Sequence, residues 1–150
     1  MDKRKGGIAM NVKNILENYN DYKAEIPILE IKIKELESEM CDIRSANLDG
    51  MPKAQGFVAS NLEENIIRLQ DKITTKQDRI NKIKEDLNVT ESLIKTLKKY
   101  NQEIIELRYI HKISIEEIAT KKERGYNSIQ KTIEISINKM QKKYDKITNF

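Results

Sequence analysis

Residues 101–143, NQEIIELRYIHKISIEEIATKKERGYNSIQKTIEISINKMQKK, carry three helical patterns in quick succession, and their reading decides the fold. Asn101 is placed to cap the first, which buries Ile104, Ile105 and Leu107 and ends near Tyr109. Ser114 followed by Glu117 forms a capping box, because each side chain satisfies a free amide at the helix start. The second helix carries Ile115, Ile118 and the small Ala119 before the polar, glycine-bearing run from Lys121 to Gly125. Asn127 or Ser128 can cap the third, whose apolar stripe is Ile129, Ile133, Ile137, Met140 and Tyr144. Two helices joined by a tight turn, with a small residue where they cross, describe a helix-turn-helix. In that motif the second helix lies in the major groove of DNA.

Working outward, the chain before this stretch has a different rhythm. Ile8, Val12, Ile15, Tyr19, Tyr22, Ile26, Leu29, Ile33, Leu36, Met40 and Ile43 alternate spacings of four and three. That is a repeat of about 3.5 residues, the pattern of coiled-coil packing. Pro27 falls inside it and removes a backbone donor, so a kink near residues 23–26 is expected, with a full break as the alternative. Residues 46–60, ANLDGMPKAQGFVAS, interrupt the repeat with glycines and a proline and read as a loop. The heptads then resume through Leu62, Ile66, Leu69, Ile73, Lys76, Ile80, Ile83 and Leu87, with Thr90, Ile94 and Leu97 in phase. Lys76 and Thr90 are polar seam positions of the kind that fix register at some cost in stability. Each arm is about 36 residues, or roughly 54 Å of helix.

The expected fold is therefore all-α: a long antiparallel helical hairpin over 8–89 with its loop at 46–60, then a helix-turn-helix domain over 90–150. Residues 1–7 read as a disordered basic tail. Asn88 with Glu91 could start a new helix, or one helix could run from the hairpin into the last domain.

Composition agrees with an elongated helical chain. It is 35% charged, 38% hydrophobic and 5% aromatic, with no Trp. No apolar run is long enough to span a bilayer, and MDKRKGG has no signal core behind it. The single Cys41 fits a reducing cytoplasm. One Cys and one His (His111) are too few for a metal site, and no cofactor motif, nucleotide loop or catalytic triad is present, so neither a cofactor nor an enzymatic activity is expected. Paired acids such as Glu116 and Glu117 read as a solvated helix face. The net charge of +4 is unevenly placed: residues 1–89 hold 15 basic and 16 acidic side chains, and residues 90–150 hold 13 and 8. The positive excess lies on the helix-turn-helix, as phosphate binding requires.

LRYIHKISIEEIA followed by YNSIQKTIEISINKM is similar to the helix-turn-helix of sigma-70 region 4. It resembles more closely the small phage and prophage late-transcription regulators of the RinA and ArpU type, over roughly the last third of the chain. A second patch, Gly50-Met51-Pro52 followed by Ser60 and Asn61, resembles their interhelical linker. The pattern departs at Lys122 and Glu123, where an apolar residue and a glycine are usual, and at Thr132, where the expected apolar residue comes one step later as Ile133. A turn longer than standard is expected from this. The resemblance implies activation of late structural or packaging genes, through host RNA polymerase as region 4-like domains act.

By motif position Tyr126, Asn127, Ser128, Gln130 and Lys131 face the DNA groove, with Glu134 one turn on, while Lys121, Lys122 and Arg124 are placed for phosphates. Arg124 and Tyr126 could instead close and pack the turn. Double-stranded DNA is the expected partner, with a homodimer formed through the hairpin. A small terminase subunit and a protein-binding adaptor are the competing readings.

Overall fold

The computed structural model describes residues 10–48 and 56–149, and within them every regular element is helical. The elements are α1 (Val12–Glu17), α2 (Tyr19–Leu48), α3 (Gly56–Lys95), α4 (Lys99–Ile105), α5 (Ile115–Lys122) and α6 (Tyr126–Thr148). α4 continues directly into a π-helical turn, Glu106–Ile110. The chain divides into two compact bodies: residues 23–83, and residues 84–150 together with 1–22.

The 23–83 body is an antiparallel hairpin of α2 and α3. Its seam follows the heptads: Ile33, Met40, Leu69, Ile80 and Ile83 are buried, and Ile26, Leu29, Leu36, Ile43, Leu62, Ile66 and Ile73 are half-buried. The direction is pinned by a bidentate ion pair. Arg79 Nε and Nη2 donate to the Glu25 carboxylate at 2.7 and 3.1 Å, and each partner immediately precedes a seam residue, Ile80 and Ile26. The Arg79 guanidinium holds the Glu25 carboxyl below its ordinary range. Lys76, the polar seam position, is half-buried, a placement its aliphatic stem allows.

Three expectations for the arms are corrected. The first arm, expected to be continuous from Ile8 with a kink before Pro27, is interrupted at Asn18 instead of running unbroken into α2. Asn18 Nδ2 donates to the Asn14 carbonyl and to Asn14 Oδ1, and such local side-chain bonds compete with the helical ladder. α2 passes through Pro27 without ending. The 46–60 loop is shorter than its composition suggests, because α2 reaches Leu48 and α3 begins at Gly56; Ser60 and Asn61 lie inside α3. The region between them, like the basic tail and Ile8, lies outside the described residues. Finally, the hairpin body is shorter at both ends than 8–89, since residues 10–22 and 84–95 belong with the helix-turn-helix. Asn88 starts no new helix: α3 is continuous to Lys95.

That second body is built around α6. α4, α5 and α1 all pack on it, and α1 and α5 also contact the π-helical turn. Val12, Leu16, Ile104, Ile105, Ile118, Ile129 and Met140 are fully buried. Asn11 caps α1 by accepting from Asn14 N–H at 2.9 Å. Gln141 ties α1 to α6: its Oε1 accepts from Val12 N–H at 2.8 Å, and its Nε2 donates to the Met10 carbonyl at 3.0 Å. The start of α2 meets the end of α3 through a short hydrogen bond from the Tyr19 hydroxyl to Glu91. Burial, then that contact, pushes the Tyr19 phenol up. α3 closes with the Thr96 hydroxyl donating to Leu93 O at 2.6 Å and Gln102 Nε2 donating to Leu97 O at 2.8 Å.

Two hydroxyls in this body, Thr90 Oγ1 and Ser136 Oγ, are fully buried without a hydrogen-bond partner. Each loses its hydration for no return. Thr90→Val, which keeps the side-chain shape, is therefore expected to raise the unfolding free energy by about 1 kcal/mol in chemical denaturation. A loss of stability would show that the hydroxyl is satisfied in solution.

Candidate nucleic-acid interface

The helix-turn-helix is α5, the turn Glu123–Gly125 and α6. Ser114 caps α5 as expected, its Oγ accepting from Glu117 N–H at 3.1 Å. Ile118 and Ala119 are buried where α5 meets α6, and Ile115 is half-buried. Neither Asn127 nor Ser128 caps α6. Gly125 does, with φ −73° and ψ 157°, and Tyr126 is the first helical residue. Likewise α4 is capped by Lys98, and Asn101 lies inside it.

The turn is also not lengthened. It spans three residues, because Glu123 takes the left-handed conformation itself (φ 55°, ψ 47°) where the motif's glycine is usual. Arg124 N–H then donates to the Ala119 carbonyl at 3.0 Å and Glu123 N–H to Thr120 O at 3.2 Å, closing the α5 C-terminus. A Cβ in that region costs about 1 kcal/mol. Glu123→Gly is thus expected to stabilise the domain by a few tenths to about 1 kcal/mol, since glycine's greater unfolded-state freedom offsets part of the gain. Denaturant midpoints of the two proteins decide it; an equal or lower midpoint counts against strain at this position.

Tyr100 of α4 secures the turn from outside. Lys122 Nζ lies 5.4 Å and Arg124 Cζ 5.5 Å from its ring centroid. Lys122 also donates to Glu103 at 2.6 Å, and that bond holds the Glu103 carboxyl below its ordinary range. Lys122 is only 21% exposed at its side chain, so its ammonium serves the packing of the turn. Arg124 is exposed but leans on the same ring, which agrees with its turn-closing alternative. Tyr100 and Glu103 were not read from the sequence as part of this region; the i, i+3 spacing on α4 is their only signal.

The remaining candidates fall on the open side of α6. Tyr126, Asn127, Ser128, Gln130, Lys131 and Glu134 are all exposed, as is Lys121 at the end of α5. Tyr126 is 47% exposed, so about half of its side chain is open to solvent. Asn127, Lys131 and Glu134 share one helical face. Gln130 and Glu134 also border a cleft of about 430 Å³ whose other wall includes Lys13, Glu17 and Arg108. Arg108 donates to the Ile113 carbonyl at 3.3 Å, and His111 is a surface residue. Thr132, where the pattern departs, donates its hydroxyl to Ser128 O at 2.9 Å and leaves Ile133 to fill the core.

No family model, curated protein or solved structure matches the chain.

Proposed function

We propose that the chain is a sequence-specific DNA-binding transcription regulator that reads the major groove with the first turns of α6. The observation that carries this is the exposure of Asn127, Gln130 and Lys131 at the free end of a helix whose other side, Ile129, Ile133 and Met140, is sealed in the core. Such a helix is rigid, and its exposed amides and ammonium match adenine and guanine edges. Lys121 flanks that end and supplies a phosphate contact.

The resemblance to RinA and ArpU type regulators extends the proposal to activation of phage or prophage late genes, with host RNA polymerase as a second partner. Two copies associate through the hairpin in this reading. The half-buried seam at Ile26, Leu29, Leu36, Leu62, Ile66 and Ile73 supports that, because a two-helix pair leaves its seam only partly covered.

Selection of bound sequences from a randomised duplex pool is the test. One enriched motif, with affinity falling steeply as salt rises, supports the reading. Failure to enrich any sequence refutes it; rings of many subunits in solution would favour the packaging reading instead.

A further inference from the structure

Far from the reading face, the same body carries a second cationic feature. A groove of about 440 Å³ lies between the turn that links α3 to α4 and the C-terminal half of α6. Lys139, Lys142, Lys143 and Lys146 form one wall; Lys98, with Leu97 and Asn101, lies opposite. Among the described residues no carboxylate lines it, and none of the five ammonium groups has an ion pair. Lysines at i, i+3, i+4 and i+7 share one face of α6 and repel one another there. The exposed Ile135 stands on the same face, one turn before Lys139.

We infer that this groove is a docking site for an acidic amphipathic helical segment of another protein. Charge complementarity gives its sign: bringing carboxylates between unpaired lysines relieves their repulsion. Ile135, exposed on the same helical face one turn beyond the groove's lining, adds an apolar contact that a nucleic-acid backbone has no use for. Position also separates the groove from DNA. Lys139 to Lys146 lie roughly 18–29 Å along the helix from Asn127, about a quarter-turn round it. A protein bound to a duplex through the start of α6 would have this groove roughly two to four helical turns away from its contact at Lys131, free for a partner.

The experiment uses the full chain and a synthetic helical peptide with Glu on one face and Leu on the other. A control peptide carries Gln in place of Glu. Fluorescence anisotropy is expected to show binding of the Glu peptide, with the Gln peptide much weaker. The triple variant Lys139→Gln, Lys142→Gln, Lys146→Gln is expected to lose about tenfold in affinity for the Glu peptide. These side chains are exposed, and an unchanged melting curve verifies the fold. Its affinity for duplex DNA should fall far less than that of Lys131→Ala. Equal binding of both peptides, or a triple variant that keeps full peptide affinity, overturns the inference. So does a variant that loses DNA binding as strongly as Lys131→Ala, because the groove would then follow phosphates. A protein that binds no DNA at all would sink the proposed function alone, since the peptide arms still report on the groove.

Discussion

Ile118→Ala is expected to destabilise the helix-turn-helix body by about 2–5 kcal/mol. Ile118 is fully buried on α5, which packs on both α6 and the π-helical turn. Removing three carbons there loses their transfer free energy and leaves a cavity that rigid helices fill only in part. A domain of this kind has about 5–15 kcal/mol in total, so a single change consumes a large share. Chemical denaturation followed by circular dichroism measures it. A loss below about 1 kcal/mol would mean that the site collapses around the smaller side chain, and that α5 is less firmly seated than its burial indicates.

The second large effect concerns recognition. The double variant Asn127→Ala, Lys131→Ala is expected to lower affinity for the selected DNA sequence on the order of a hundredfold, since each good bidentate base contact is worth about 1–3 kcal/mol of discrimination. Binding to unrelated DNA should fall far less, because that term comes from phosphates. Lys121→Ala should weaken binding to all sequences alike and flatten the salt dependence by about one unit. Lys122→Ala behaves differently from what its place in the sequence suggests. Its ammonium is held by Glu103 and the Tyr100 ring, so its removal loosens the turn. That contribution also has a sign with pH. The Glu103 carboxyl is held low by Lys122, so its stabilising effect is present above the ordinary carboxylate range and is lost as the pH falls through the depressed value. Gel-shift titrations at two salt concentrations separate these variants. If the double variant binds its selected site as tightly as the parent, α6 does not read DNA through this face.

Much of the fold was legible because burial follows period. Every described position of the two heptad series is buried or half-buried, from Val12 to Leu97. The all-α architecture and the helix-turn-helix stripe come from the same rule. What escaped was set by long-range contacts or by local chemistry that periodicity does not encode. Leu16 is fully buried although it lies off the heptad seam, because α1 leaves the hairpin to pack on α6. The heptads continue across Asn18, so the pattern alone could not place the break there. The turn looked too long because Glu123 was not expected to adopt the left-handed region. Lys122 looked like a phosphate contact because its partners, Tyr100 and Glu103, sit about twenty residues earlier.

The clasp made by Gln141 sets an order on assembly. A ribosome delivers residues one at a time, at about 5–20 per second, and Met10 and Val12 find their amide partner only after position 141 has emerged. The seat of α1 is therefore completed only once α6 is present, although the π-helical turn at 106–110 is available to it earlier. A polypeptide stopped before α6 would lack both the Gln141 clasp and the surface on which α1 packs.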